Sequence, residues 1–473
     1  MTVSFWLLAR PCWAKYRIIA TPILSSECNG LKSNLMAQLT VERLSHDGKG
    51  IARSAGKVGF IPGALAGERV EATLVRRHRR YDEYRLLRVL DAASDRVEPP
   101  CPLVGRCGGC DLQHLAGPAQ LEHKTRVLLD QISRQAGLEP AELLPPLTAD
   151  PFGYRRRARL AVHVPRRGES LTLGLRAAGD KEIVPIDRCP VLVPELAGLP
   201  GRLQQQLAEL TRPAVLGHVE LSLAETEAGP SLPVIYLRMT ASPAAADRLV
   251  LRDFAEAQGA YLAARAGDGR LEYLYRPRAE EPAYRLPEFG LNIGYVPGEF
   301  VQGNPAINRR LVRQVVDWVA ELEARNVLDA FCGVGNFSLA LARRGLQVTG
   351  LEVAAEAVTV ARQNAARNAL PDLRFATRNL LTDPGCIDAM DFDTVVLDPP
   401  RDGARALVAA LASRGVDGLV YVSCAPGTFA RDAAILAEAG YTLGKLRLVD
   451  MFPQTSHIEL AAEFRRGRRG TRS

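Results

Sequence analysis

The chain has 473 residues, which is too long for one compact core and suggests about three domains of ~150 residues each. Hydrophobic residues make up 47% and charged residues 24%, and this balance excludes wholesale disorder, a collagen-like repeat and a small disulfide scaffold. No apolar run approaches the ~20 residues of a membrane helix. We therefore expect a soluble protein without a membrane partner.

The charge is mildly positive, with 60 Lys+Arg against 53 Asp+Glu and a net charge of +7. The arginines are clustered in four runs, at 76–80, 155–159, 166–167 and 465–469. For any one run, a solvated surface is the preferred interpretation. Four runs together favour a nucleic-acid partner, because each phosphate contact releases condensed counterions.

Cysteine usage indicates a reducing compartment. The nine cysteines are odd in number, and three of them, Cys101, Cys107 and Cys110, lie within ten residues. A secreted disulfide framework is not spaced in this way. The apolar stretch 5–9 has no preceding basic residue and is too short for a signal-peptide core. We expect a cytoplasmic protein.

The N-terminal third begins with residues 1–35, which show no clear period and which we interpret as a disordered extension or a wrongly assigned start. A docking tail is the alternative. Between 36 and 95, short apolar runs at 39–44, 58–61, 69–75 and 84–90 are separated by Gly- and Asp-rich turns. This spacing predicts a small β-barrel of the OB type, and its arginine run would suit RNA binding.

Residues 96–290 are predicted to form a central α+β domain, with a helix at 117–136 and strands at 160–164, 171–175 and 234–239. From 291 to 464, helices alternate with short apolar runs at 327–330, 348–351, 373–376, 394–397 and 418–422. This alternation predicts a parallel, Rossmann-like sheet with crossover helices. The basic residues 465–473 are expected to form a disordered tail.

A nucleotide-type site is predicted where the first strand of this sheet runs into Gly333 and Gly335, ahead of a helix. Glu352 ends the next strand and is placed to accept hydrogen bonds from ribose hydroxyls. The third glycine of the dinucleotide pattern is missing, which argues against NAD or FAD. S-adenosylmethionine, which has no pyrophosphate, fits this shorter loop better.

Two further strands are followed by residues that could bind a ligand or take part in catalysis. The loop 398–403 begins with Asp398 and two prolines, which hold it rigid above the edge where α/β ligands bind. Cys424 follows the strand at 418–422 and is a candidate nucleophile, although a buried structural cysteine is the commoner case. We interpret Cys332 and Cys386 as structural.

Four cysteines form a candidate metal site. Cys101, Cys107 and Cys110 are followed at a distance by Cys189, and four soft ligands suit either zinc or an iron–sulfur cluster. Spacing alone leaves both centres open.

The C-terminal motifs resemble those of the RNA 5-methyluridine methyltransferases. The matching segments are 300–304, 328–338, 398–403, 423–424 and 450–459. The N-terminal barrel resembles a TRAM domain, and the four cysteines match those of the ribosomal branch that carries a [4Fe–4S] cluster. The resemblance therefore covers most of residues 37–464.

The resemblance implies the residues of the site and their roles. Cys424 would be the nucleophile and Glu459 the general base. The cofactor contacts would be Gln302, Phe331, Asn336, Glu352, Asn379 and Asp398. Cys101, Cys107, Cys110 and Cys189 would bind [4Fe–4S], in a structural or RNA-docking role. Where the family usually has Asn after the nucleophile, this chain has Ala425, so an amide that could hydrogen-bond near the base is absent.

The function implied is S-adenosylmethionine-dependent methylation of uridine carbon 5 in 23S rRNA by a monomeric enzyme. The same chemistry on tRNA is the nearest alternative, although tRNA-directed relatives generally lack both the TRAM unit and the cysteine cluster. A non-catalytic RNA-binding or assembly factor is a second alternative, but it would need neither Cys424 nor Glu459. A radical enzyme is a third, but its three-cysteine spacing is usually tighter.

Overall fold

The structure, a computed structural model, describes residues 36–164, 170–227 and 229–467. The predicted extension 1–35, the arginine pair 166–167 and the end of the basic tail lie outside the described residues. Within these ranges, no helix has the length and apolarity needed to cross a membrane.

Five short strands with alternating burial form the N-terminal barrel. They are β1 (Met36–Leu44), β2 (Gly50–Ser54), β3 (Lys57–Ile61), β4 (Arg69–Arg77) and β5 (Tyr81–Asp91). They close in the order β1-β2-β3-β5-β4 around inward-facing side chains such as Val41, Ile61 and Val70. The predicted barrel is confirmed. Its arginines at 76, 77, 79 and 80 are exposed at the β4–β5 hairpin.

A seven-stranded sheet forms the centre of the chain, in the order β13-β12-β11-β10-β7-β8-β9. Its strands are β7 (Arg157–His163), β8 (Thr172–Arg176), β9 (Ile183–Pro185), β10 (Leu216–Ala224), β11 (Leu232–Met239), β12 (Tyr261–Ala266) and β13 (Glu272–Tyr275). The helices α2 (Pro194–Ala197), α3 (Leu199–Ala208) and α4 (Ala245–Ala257) belong to the same segment. Apolar side chains of α3 and α4 share one core with the sheet.

The C-terminal sheet has eight strands in the order β18-β17-β16-β19-β20-β22-β21-β6. Its strands are β6 (Glu142–Leu147), β16 (Asn326–Ala330), β17 (Gln347–Glu352), β18 (Arg374–Thr377), β19 (Thr394–Leu397), β20 (Gly418–Ser423), β21 (Tyr441–Val449) and β22 (Glu459–Arg466). The first five in spatial order are parallel, and β22 is antiparallel to both of its neighbours. β19 and β20 are buried throughout, as expected for a sheet covered on both faces.

Helices and one hairpin complete this half of the chain. They are α1 (Gly117–Ala136), β14 (Ala283–Leu286) with β15 (Leu291–Gly294), α5 (Pro305–Glu321), α6 (Ser338–Arg343), α7 (Ala355–Arg367), α8 (Arg405–Arg414) and α9 (Pro426–Glu438). The strand order reverses between β16 and β19, and ligands of such sheets bind at the carboxyl ends of the strands there.

The segment 117–147 packs differently from the sequence-based expectation. It was assigned to the central domain 96–290, but α1 packs against α9 and β6 pairs in parallel with β21. Leu128 and Ile132 on α1 are fully buried in the core shared with α9, which explains why the helix docks there. At the other end of the sheet, Arg465 and Arg466 belong to β22 rather than to a tail.

Candidate active site

The turn after β16 brings the backbone close to the crevice at the carboxyl ends of β16 and β19, where the strand order reverses. Phe331, Gly333 and Gly335 all have positive φ, at 66°, 53° and 98°. A Cβ on Gly335 would lie 2.3 Å from Leu339 Cδ1 and 3.3 Å from Phe375 Cζ, so only glycine fits there. The left-handed conformation of Phe331 is uncommon for a bulky residue and is typical of functional turns.

Glu352 ties this turn to the end of β17. One of its carboxylate oxygens accepts a hydrogen bond from the Gly333 amide (3.2 Å), and the other accepts from Val353 (2.7 Å) and Ala354 (3.0 Å). Asn379 lies exposed just after β18, where its side-chain oxygen accepts from the Leu381 amide at 3.2 Å. Both predicted cofactor residues therefore lie at the carboxyl edge of neighbouring strands.

Asn336 and Gln302 belong to a second polar cluster beside the turn. The Asn336 side-chain oxygen accepts from Tyr284 Oη (3.0 Å) and from Asn308 Nδ2 (3.0 Å). The buried Arg156 guanidinium lies 4.6 Å from the centre of the Tyr284 ring and donates to the Gln302 carbonyl at 2.8 Å. Arg156 thus links the segment before α5 to the turn after β16.

Two carboxyl groups lie at the switch point of the sheet. Asp329, in β16, is fully buried and accepts a hydrogen bond from Ser338 Oγ; burial raises its pKa to about 7. Asp398 follows β19, and burial together with the Asp329 charge raises its pKa to about 7 as well. Sequence reasoning missed Asp329, although an acidic residue inside an apolar strand is a signal of a functional group.

Cys424 and Glu459 lie side by side. Ser423 in β20 is opposite Leu460 in β22, so the residue after β20 and the first residue of β22 share one end of an antiparallel pair. Burial and the Glu459 and Asp398 carboxylates raise the pKa of the Cys424 thiol, whereas Arg401 opposes this rise. Burial and Asp398 raise the pKa of Glu459 to about 8, against Arg401 and Lys124.

Helix α9 starts directly after Cys424. Ala425 is its N-cap residue and supplies no side-chain cap; its own amide donates to Ser423 Oγ at 3.1 Å. The helix dipole places partial positive charge near the thiol, which favours the thiolate. An asparagine at 425 could have capped the helix, which the methyl group of Ala425 cannot do.

The four cluster cysteines line one pocket beside β7 and β8 of the central sheet, together with Arg155. All four are free thiols, and the amide of Gly109 donates to Cys107 Sγ at 3.4 Å. Burial raises the pKa of Cys110 to about 12 and also raises that of Cys107 and Cys189, with the other thiols adding to the shift. The soft donor set fits a cluster, but among the described residues no three ligating side chains are already arranged to hold a metal ion.

Comparisons with known proteins agree with this geometry. The family described as tRNA (Uracil-5-)-methyltransferase matches residues 291–466, and the TRAM domain matches 37–82. The crystal structure of Pyrococcus abyssi tRNA (uracil-54, C5)-methyltransferase in complex with S-adenosyl-L-homocysteine superposes with a TM-score of 0.68 at 26% identity, covering 90% of this chain and 99% of that one.

Two curated relatives are more similar in sequence. The 23S rRNA (uracil(1939)-C(5))-methyltransferase RlmD of Pseudomonas fluorescens is 43% identical over 433 residues, which are 90% of this chain and 93% of that protein. The RlmD of Shewanella amazonensis is 43% identical over 427 residues, covering 90% and 95%. The chain therefore belongs to the RlmD family of S-adenosylmethionine-dependent RNA (uracil-C5)-methyltransferases.

Proposed function

We propose that the chain methylates carbon 5 of a uridine in 23S rRNA, in the cytoplasm, through a covalent bond between Cys424 and the uracil. The observation that carries the proposal is the pairing of Cys424 with Glu459 at one end of β20 and β22, at the same carboxyl edge of the sheet as the turn 331–335. The relatives named for 23S rRNA are 43% identical, against 26% for the enzyme named for tRNA, which favours the ribosomal substrate.

The first steps use Cys424. Uracil carbon 5 is a weak nucleophile, so the Cys424 thiolate adds to carbon 6, forming a C–S bond and moving the electron pair into an enolate. S-adenosylmethionine supplies a methyl group on a positively charged sulfur. Carbon 5 attacks that methyl group, the bond between methyl and sulfur breaks with its electron pair left on the sulfur, and the C–S bond to Cys424 remains until the next step.

Glu459 completes the reaction. Its carboxylate removes the proton from carbon 5, the double bond re-forms, and the Cys424 thiolate leaves carbon 6. The target base must first leave the RNA stack to reach the crevice. The six residues expected to bind the cofactor are proposed to do so from the turn 331–335, the cluster around Arg156 and the ends of β17, β18 and β19.

The test is methyl transfer from labelled S-adenosylmethionine to unmodified bacterial RNA, separated by size and digested to nucleosides. We expect label in 5-methyluridine of the large rRNA. Cys424→Ala should lower this activity by at least about 10³-fold, because the covalent step is lost. Cys386→Ala removes a thiol outside the site and serves as the matched control.

Three outcomes would contradict parts of this proposal. Label in tRNA would support methylation of uridine carbon 5 but would show that the substrate is tRNA rather than 23S rRNA. Parent-level activity of Cys424→Ala would exclude the covalent step. Absence of label in every RNA fraction would favour the non-catalytic RNA-binding or assembly factor.

For the cysteine pocket, we propose a [4Fe–4S] cluster bound by Cys101, Cys107, Cys110 and Cys189. Four thiolates around one pocket suit this centre, and methyl transfer needs no electron, so its role is structural or in RNA docking. Anaerobically purified protein should contain iron and acid-labile sulfide. Cys189→Ser should lose both, whereas Cys386→Ser should keep them. Colourless protein with stoichiometric zinc would overturn the assignment.

A further inference from the structure

The loop between β21 and β22 delivers Glu459 to the crevice, and residues far away in sequence hold it. We propose that Asp111, Gln120, Lys124 and Tyr154, here called the loop clamp, position Glu459 for removal of the carbon 5 proton. These are positioning residues, since each holds the loop 450–458 and none touches the reacting atoms. The inference rests on the proposed role of Glu459.

Two members of the clamp come from α1. The Lys124 ammonium is fully buried and donates to Asp450 Oδ1 at 2.7 Å and to the Phe452 carbonyl at 3.1 Å. Gln120 forms a reciprocal pair with Gln454: its amide nitrogen donates to Gln454 Oε1 (3.1 Å), and its oxygen accepts from the Gln454 backbone (3.0 Å). Helix α1 thereby fixes the first half of the loop at three points.

The other members fix the middle and the end of the loop. Asp111 accepts from the Ser456 amide (2.6 Å) and from Ser456 Oγ (2.5 Å), and Tyr154 Oη donates to the Pro453 carbonyl at 2.9 Å. The backbone amides of Asp111 and Leu112 both donate to the Gln454 carbonyl. Gln454 has φ +71°, a conformation that a non-glycine residue keeps only when its surroundings hold it.

The electrostatics around Glu459 agree with this geometry. The charged and titratable groups that face Glu459 are Asp398, Arg401, Lys124 and Cys424. Of these, Lys124 is the buried cation, and it stabilises the carboxylate form that accepts a proton. Lys124 therefore serves Glu459 in two ways, by holding the loop and by its charge.

The clamp acts on one step of the reaction, which makes it testable. If Glu459 is misplaced, Cys424 can still add to carbon 6 and carbon 5 can still take the methyl group. The bond between Cys424 and carbon 6 then persists, because the carbon 5 proton is removed slowly. A clamp variant should accumulate a protein–RNA adduct that survives denaturation, which loss of stability alone does not produce.

The first variant is the double substitution Lys124→Met with Asp450→Asn. Changing both partners leaves no unpaired buried charge. Its matched control is Arg96→Met with Glu68→Gln, which removes a partly buried ion pair from the barrel. A second variant, Asp111→Ala, removes an exposed carboxylate, and Asp130→Ala on α1 is its control.

Each protein is mixed with RNA and S-adenosylmethionine, and the adduct is quantified on a denaturing gel beside Glu459→Gln. We expect both clamp variants and Glu459→Gln to raise the adduct fraction at least tenfold over the parent, and both controls to stay at the parent level. Adduct with Glu459→Gln but with neither clamp variant would overturn the clamp and leave the proposed function standing. Absence of adduct with Glu459→Gln would overturn the role of Glu459 and the clamp with it.

Discussion

Three carboxyl groups with raised pKa values share the crevice of the C-terminal sheet. Burial and a neighbouring carboxylate raise the pKa of Asp329 and of Asp398 to about 7 and that of Glu459 to about 8. Perturbed groups of this kind concentrate at catalytic sites. These three groups therefore take up protons at a higher pH than ordinary carboxyl groups do.

This protonation predicts how activity depends on pH. Both Glu459 and Cys424 work in their deprotonated forms, and both pKa values are raised, so activity is lost as pH falls. Turnover at saturating RNA and cofactor should rise through about pH 8, where Glu459 loses its proton, and should keep rising at higher pH as the Cys424 thiol, whose pKa lies above its ordinary value, ionises. Arg401→Gln should move this rise to higher pH, because Arg401 lowers both pKa values. A flat profile, or a shift to lower pH in the variant, would contradict the prediction.

Local motifs revealed some functional residues and not others. Cys424 and Glu459 lie in segments whose order along the chain is diagnostic, so sequence alone was enough to propose them. Asp329 was not predicted as a functional residue, because the apolar residues around it indicated only a buried strand. Lys124 and Gln120 were missed for a different reason: their partners lie more than 300 residues away, and no local pattern reports such contacts.

At the scale of elements, the five parallel strands β16 to β20 were predictable from short apolar runs, whereas β21 and β22, which are antiparallel to each other, were not predicted. β6 was missed, since Pro145 and Pro146 argue against a strand. The structure accommodates both prolines because β6 is the edge strand, with a single neighbour, β21. The packing of α1 on α9 depends on two apolar helix faces that fit together. The sequence shows that each helix has such a face but does not show which two faces meet.

The exposed arginines of the β4–β5 hairpin are predicted to contribute to RNA binding. Arg79 and Arg80 are exposed, and no ion pair engages them within the described part of the chain. Replacing both by alanine should weaken RNA binding and lower the salt dependence of the binding constant, by about 0.7 in slope for each phosphate that is no longer neutralised. Filter binding at several salt concentrations measures this. Arg212→Ala with Arg252→Ala removes the same charge elsewhere; an equal weakening there would contradict a role for the hairpin.

At the scale of the molecule, the catalytic unit is longer than the family match at 291–466. A chain cut to 291–473 loses α1 and β6, which exposes the α9 face and turns β21 into a bare edge. Loss of Leu128 and Ile132 alone removes about 1.5–3 kcal/mol of burial each. We expect this fragment to show no cooperative urea unfolding, whereas 96–473, which lacks residues 1–35 and the barrel, should unfold cooperatively. Equal midpoints for the two would contradict the prediction.

The pairing of β6 with β21 also sets the timing of folding. Glu142 lies opposite Lys445, so about 300 residues must be translated after β6 before its partner exists. At bacterial elongation rates of about 5–20 residues per second, that interval is roughly 15–60 s. During that interval, the nascent chain exposes β6 without the strand β21 that pairs with it. It also exposes the apolar face of α1 without the helix α9 that buries it. The segment of α1 and β6, although it is translated early, can therefore take its native place only after α9 and β21 have been translated.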